Sequence, residues 1–176
     1  MDYPDWSYFP RSASAPQWVI DFAEAVRRNE ERVASASHNE FASDQVLETL
    51  RPELEALGWS IETGKKSHQK IHRPVLFGDR NQARVKYEID GWHELYGAVL
   101  EVESGRGWQG NAFFRDLIRT SLISGARYLV IGLRLSYTYG NVTSQNDFER
   151  GRDQLDALYA SGRLVLPFEG VLIFGW

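Results

Sequence analysis

The sequence predicts an α/β fold built around one mixed sheet. Three observations carry the prediction. Apolar residues recur at helical spacing in three long segments and at alternate positions in shorter ones. Tyr128 to Leu133 is an unbroken apolar run, the pattern of a strand buried on both faces and reached through a helical crossover. With 43% hydrophobic and 25% charged residues over 176 positions, one core buries roughly 70% of the surface that the unfolded chain exposes. A single domain follows, divided into an N-terminal arm and helix (1–36), a core (43–133) and a C-terminal extension (134–176).

The elements follow in chain order. Tyr3 to Pro16 is an aromatic arm with prolines. Trp18, Val19, Phe22, Ala25 and Val26 share one helical face, and the helix runs for up to about five turns toward Ser37. Ser37-His38-Asn39-Glu40 has the form of a capping box, and Ser43-Asp44 offers a second start. Val46, Leu47, Leu50, Leu54 and Leu57 form the next apolar stripe, which Pro52 should kink or divide. Trp59 to Glu62 reads as a short strand. Most of Thr63 to Lys86 reads as loop, with strand alternation resuming at Val85, Tyr87 and Ile89. Gly91 to Gly97 turns the chain into a strand from Ala98 to Glu103. A glycine-rich loop spans Ser104 to Gly110, and Phe113 to Ile123 forms the crossover helix. Asn146 caps a last helix from about Asp147 to Ala160, and strands at Arg163–Leu166 and Val171–Phe174 close the chain.

Composition excludes several chemistries. The chain has no cysteine, so disulfides, thiolate zinc sites and cysteine nucleophiles are ruled out. Its start, MDYPDWSYFPRSASAP, lacks the basic and apolar regions of a secretory signal, and no stretch approaches the roughly 18 apolar residues of a membrane span. The chain is read as soluble and cytoplasmic. The formal charge of −4 argues at face value against a nucleic-acid partner, but it conceals an asymmetry. Thr63 to Lys86 carries seven cations against Asp79 alone, so that segment is +6 and the remainder of the chain is −10.

Three acids stand where the sheet should bring them together. Asp90 ends one strand, and Glu101 and Glu103 lie two residues apart on the next. Neighbouring strands are about 4.8 Å apart and i, i+2 positions about 6.8 Å, so all three carboxylates can approach one point. Such a cluster repels itself unless a proton or cation intervenes, and Mg²⁺ prefers oxygen ligands of this kind. A solvated polar sheet face would give the same alternation. A glycosidase-like acid pair is also open on spacing, without any supporting sugar-binding signal.

This arrangement resembles the PD-(D/E)XK, or restriction endonuclease-like, nuclease superfamily. Ile89-Asp90, ten residues, then Glu101-Val102-Glu103 matches its motif, and Ser43 to Leu133 reproduces its αβββαβ order. The departure is Glu103, where the family usually has lysine. The form matches a Glu-x-Glu variant found in some enzymes that cleave DNA. Nearly the whole chain also resembles short bacterial proteins, including the segment from Gly105 to Ile123, which adds no function.

The resemblance implies a restriction endonuclease-like core with a mixed central sheet flanked by helices, and Mg²⁺-dependent cleavage of nucleic acid, with Mn²⁺ able to substitute. Asp90 and Glu101 would hold the metal with the Val102 carbonyl, and Glu103 would serve as a base or second-metal ligand. The family also places an acid near the start of its first core helix. Asp44 is the first choice, with Glu40 and Glu48 as alternatives. The expected partner is double-stranded DNA, RNA remaining open, with a homodimer as a further expectation and no membrane.

The basic segment and crossover helix would hold the substrate. Lys65, Lys66, His68, Lys70, His72 and Arg73 are spaced to follow phosphates, with Lys86 further along. Asn111, Arg115 and Arg119 recur every four residues, with Arg115 as an electrostatic clamp. Arg106, with Trp108 and Gln109, lies in the glycine-rich loop as a nucleic-acid contact. His93, three residues after Asp90, is weighed as a general base against an ordinary structural histidine. A catalytically inactive nucleic-acid-binding module on the same fold is the alternative function.

Overall fold

The computed structural model describes residues 3–104, 111–139 and 142–176. A six-stranded mixed sheet runs through the centre. In chain order its strands are β1 (Trp6–Phe9), β2 (Trp59–Ile61), β5 (Gly91–His93), β6 (Ala98–Val102), β7 (Tyr128–Leu133) and β10 (Gly170–Gly175). The spatial order is β1-β10-β7-β6-β5-β2. β7 pairs in parallel with both β6 and β10, and every other pairing is antiparallel.

Helices cover both faces. α1 (Gln17–Arg27) and α3 (Ser43–Ala56) pack with Leu100, Val130, Leu172 and Phe174 on one side. α4 (Ala112–Ser121) and α5 (Asp147–Ser161) pack with Val99, Leu129, Ile131 and Ile173 on the other. Alternate residues of one strand thus enter opposite cores, which is why β7 reads as a continuous apolar run. Each such buried side chain contributes up to about 1.5–3 kcal/mol. At Gly132 the Phe174 ring of the paired strand β10 lies so close that a Cβ would sit 2.5 Å from its Cζ.

Outside the sheet, β3 (Ile71–Phe77) and β4 (Ala83–Ile89) form an antiparallel ribbon that leads into β5. β8 (Tyr137–Tyr139) pairs antiparallel with β9 (Val142–Gln145), and α2 (Glu30–Val33) is a single turn after α1.

The elements depart from expectation where partners are distant in sequence. The N-terminal arm contributes β1, because Tyr8 and Phe9 are buried and their backbone pairs with β10. β3 replaces the expected loop, with a register shift following Pro74 where that residue cannot donate. β5 replaces part of the expected turn, between β2 and β6. The long first helix is broken between α1 and α2 by buried Asn29, whose amide donates to the Ala25 carbonyl and to Glu53. The capping box at Ser37 starts no helix. Arg134 donates to the carbonyls of Asn39 and Phe41 and holds that segment out of a helix, while Gln45 Oε1 accepts from Ala42 N at the true start. α3 runs unbroken through Pro52, which is exposed, so water can satisfy the carbonyl it leaves unpaired. Arg163–Leu166 is not a strand: β1 and β7 occupy both edges of β10, and Leu164 and Val165 face solvent. Asn146 caps α5 as expected, accepting from Glu149 N at 3.0 Å.

Candidate active site

The ends of β4 and β6 meet at an open cleft of about 230 Å³. Asp90 sits at the junction of β4 and β5. Its carboxylate accepts from Val102 N at 2.7 Å, so it lies against β6. Glu101 follows Val99 by two residues and therefore emerges on the α4 face of the sheet. Asp90, Glu101, Val102 and Glu103 all line the cleft, with Glu62, Lys70, Arg115 and Arg119 around them.

Burial sets the electrostatics. It pushes the Asp90 carboxyl up to about 7, against the pull of the Val102 N–H, with the Glu62 charge adding to the rise and Lys70 opposing it. Glu101 is driven well above the ordinary carboxylate range by burial, then by the charges of Asp90 and Asp116. Glu103 rises to about 8 through burial and a hydrogen bond with Asp116, while Arg115 opposes the shift. Like charges around buried carboxyls favour retained protons.

The cations come from two sides. Arg115 projects from α4 to Glu103 at 2.8 Å and to buried Asp116 at 3.0 Å. Arg119, one turn on, donates to the Glu88 carbonyl and lies over the Tyr87 ring. Lys70 enters from the segment before β3 and pairs with buried Glu62 at 2.7 Å. The arrangement presents carboxylate oxygens on one wall of the cleft and fixed positive charge on the others. Among the described residues, no group of three His, Asp or Glu side chains is set to hold a metal ion.

The remaining expected residues lie apart from this cleft. Asp44 occupies the first turn of α3, paired with Lys65 at 3.1 Å, and lines a neighbouring pocket with Glu48, Arg51 and Glu62. Glu40 is exposed ahead of the helix, as are Lys66 and His68 before β3 and Lys86 on β4. Arg73 is committed to the Trp92 ring, 3.8 Å from its centroid, and to Glu94 at 3.6 Å. Asn111 precedes α4 and is exposed. His93 is buried on β5, with Nε2 2.9 Å from the Leu57 carbonyl and its ring against Trp59 and Tyr96. That is a structural histidine, away from the cleft. Arg106, Trp108 and Gln109 fall outside the described residues.

Sequence reasoning missed Glu62 and Asp116. Glu62 falls one residue beyond β2, and Asp116 hides on the buried side of α4 beside Arg115; both are buried only by the fold, and their local sequence carries no clear signal.

This order of strands and helices is similar to a known fold. Restriction endonuclease BglII, solved in complex with a DNA 16-mer, superposes with a TM-score of 0.53 at 13% identity, covering 98% of this chain and 77% of that one. The fold is restriction endonuclease-like. No protein-family model and no curated protein matches the chain. Among the described residues no helix is long and apolar enough to cross a membrane.

Proposed function

We propose that the chain is a divalent-cation-dependent endonuclease hydrolysing phosphodiester bonds of double-stranded DNA. One observation carries the reading: Asp90, Glu101 and Glu103 line a single cleft with Lys70, Arg115 and Arg119 on a restriction endonuclease-like sheet. The solved neighbour on that fold holds DNA, which supports the choice of substrate.

The donor set fits a hard cation. Asp90 and Glu101 supply oxygens only, their carboxyls are raised first by burial and then by neighbouring acids, a combination that a cation offsets, and Val102 offers its carbonyl between Glu101 and Glu103. Two carboxylates completed by water and phosphate oxygens are an ordinary Mg²⁺ environment, and Mn²⁺ accepts similar ligands. Bound there, such an ion would polarise the phosphoryl oxygen and acidify water. The chain's own residues do the rest. Glu103, 2.8 Å from Arg115, is the candidate base, its carboxyl free to accept a proton as the pH rises toward and above about 8. Arg115 neutralises charge on the phosphate when it leaves Glu103, and Lys70, held by Glu62, provides a second positive group. Asp44, in the neighbouring pocket, is the acid that α3 would add to the metal site; Lys65, Lys66, Lys86 and Asn111 outside the cleft and Arg119 on its wall extend the DNA-binding surface, with Arg73 supporting it through Trp92, and Arg106, outside the described residues, is assigned to the same surface. A homodimer would cut both strands through symmetry, and the cytoplasm is the location that goes with this substrate.

The purified protein is incubated with plasmid, single-stranded DNA and RNA in Mg²⁺, Mn²⁺ or EDTA. Cation-dependent cleavage of duplex is expected, lost in Asp90→Ala and Glu101→Ala with folding retained. Unchanged cleavage in both variants refutes the assignment. A binding module without chemistry is the second reading, favoured by the Arg115 ion pair that already engages Glu103. Metal binding measured by calorimetry with DNA present separates them, because the binding module takes up no cation.

A further inference from the structure

The +6 segment is acidic-protein chemistry in reverse, and the structure shows where its charge is free. Among the described residues, the Lys and Arg side chains with neither an ion pair nor a hydrogen bond are Lys66, Arg80, Arg84, Lys86 and Arg163. Three of these five lie on the β3–β4 ribbon. Arg84 and Lys86 alternate along β4 and are exposed, whereas Tyr87 and Val75 pack against the core and half-buried Val85 alternates onto the Tyr87 side.

The ribbon tip concentrates a second feature. Asp79-Arg80-Asn81-Gln82 forms a tight turn, with Gln82 N donating to the Asp79 carbonyl at 3.2 Å and Gly78 N to the Gln82 carbonyl at 2.8 Å. Arg80 and Asn81 both adopt left-handed backbone, at φ 55° and 58°. Such turns favour Asn and Gly, yet this one keeps an arginine at a position that costs a bulky L-residue about 1–2 kcal/mol. Arg80, Asn81 and Gln82 are all exposed, and their side chains make no hydrogen bond or ion pair. Leu76 and Phe77 beside them are 50% and 44% exposed.

We propose that the β3–β4 ribbon is a sequence-reading arm that enters the DNA major groove, an inference that rests on the nuclease reading of the cleft. Arginine matches the O6 and N7 edge of guanine, asparagine and glutamine match adenine, and apolar side chains suit the thymine methyl. Arg80, Asn81, Gln82 and Phe77 are those residue types gathered at one tip. Arg84 and Lys86 hold the flanking phosphates. A two-stranded ribbon fits a B-form major groove about 12 Å wide, and the deep, narrow groove of A-form RNA excludes it. The ribbon's root is Glu88 and Ile89, both on the wall of the cleft. Seven residues of β4 at about 3.3 Å each reach some 23 Å from Asp90. At about 3.4 Å per base pair, the recognised bases lie within roughly seven pairs of the cut.

The test is enrichment from a randomised duplex library in EDTA, where no strand is cut, followed by cleavage of the enriched sequence in Mg²⁺. Wild type is expected to enrich a defined sequence. Arg80→Ala is expected to lose about 5- to 150-fold discrimination at one base pair, the worth of one bidentate contact. Arg80→Lys keeps the charge, hence the salt dependence of binding, and loses the same discrimination. Arg163→Ala, far along the chain and off the ribbon, leaves the enriched sequence as it is. An unchanged sequence in the triple variant R80A/N81A/Q82A, no enrichment by wild type, or equal competition by duplex RNA overturns the inference. If the protein cuts DNA without these effects, only the reading arm fails. Enrichment that depends on Arg80 without cleavage leaves the arm and removes the nuclease; failure to bind duplex removes both.

Discussion

Asp90→Asn is expected to make the metal-free protein more stable while abolishing cleavage. The folded chain holds the Asp90 carboxyl at about 7, raised from 3.8, because burial disfavours its charge. Below about pH 4 the group is neutral whether folded or unfolded, and it makes no difference to stability. Between about pH 4 and 7 the unfolded chain has released a proton that the folded chain still binds, so wild-type stability falls as pH rises; above 7 the loss is complete. Three units at about 1.4 kcal/mol each set an upper bound of about 4 kcal/mol. Glu101 and Glu103 share the same crowding and relax once one charge is gone, so about 2–4 kcal/mol is expected at pH 8. The substituted amide oxygen still accepts from Val102 N, which preserves the contact to β6. For a chain of this length the gain corresponds to roughly 5–15 °C in Tm. Thermal and urea melts in EDTA at pH 4.5, 6 and 8 measure it: the variant's advantage should be largest at pH 8 and shrink to about 1 kcal/mol by pH 4.5. Adding Mg²⁺ should narrow or reverse the gap, because the cation stabilises only the protein that binds it. An Asp90→Asn protein less stable than wild type at pH 8, or a gap independent of pH, refutes the crowded-carboxylate account.

Other outcomes follow from the same geometry. Arg115→Ala removes the cation 2.8 Å from Glu103 and should slow single-turnover cleavage about 10²- to 10³-fold, as loss of one charge-stabilising donor does. Lys70→Met leaves Glu62 buried without its 2.7 Å partner and should cost about 1–3 kcal/mol at pH 8, less than a fully buried pair because Lys70 keeps some solvent contact; the penalty should shrink toward pH 4.5 as Glu62 takes a proton. Gly132→Ala forces a Cβ to 2.5 Å from Phe174 and should lower the urea midpoint by the equivalent of about 1–3 kcal/mol with an unchanged m-value.

How much of this was legible depended on the range of the interaction. The start of α5 was, because Asn146 and Glu149 are three residues apart and close their own hydrogen bond. So was the strand Tyr128–Leu133, whose double burial is written into consecutive apolar residues. The spacing of Asp90, Glu101 and Glu103 drew attention to the cleft, since a hairpin converts ten intervening residues into adjacent strands. The roles of Arg73 and His93 were not legible. Each is a polar residue near the motif, and only the folded chain shows one stacked on Trp92 and the other bonded to the Leu57 carbonyl.

The sequence by itself determined the α/β class, the position of most helices and the spacing of Asp90, Glu101 and Glu103, because amphipathic period and turn chemistry are local properties of the chain. Tertiary structure alone decided that Trp6–Phe9 is a strand, that β10 lies between it and β7, and that Arg163–Leu166 is not a strand at all. It also decided which cations are spent in ion pairs and which stay free on the ribbon. A backbone edge or a guanidinium is satisfied by whatever partner the fold delivers, and partners more than a hundred residues away leave no mark in the local pattern.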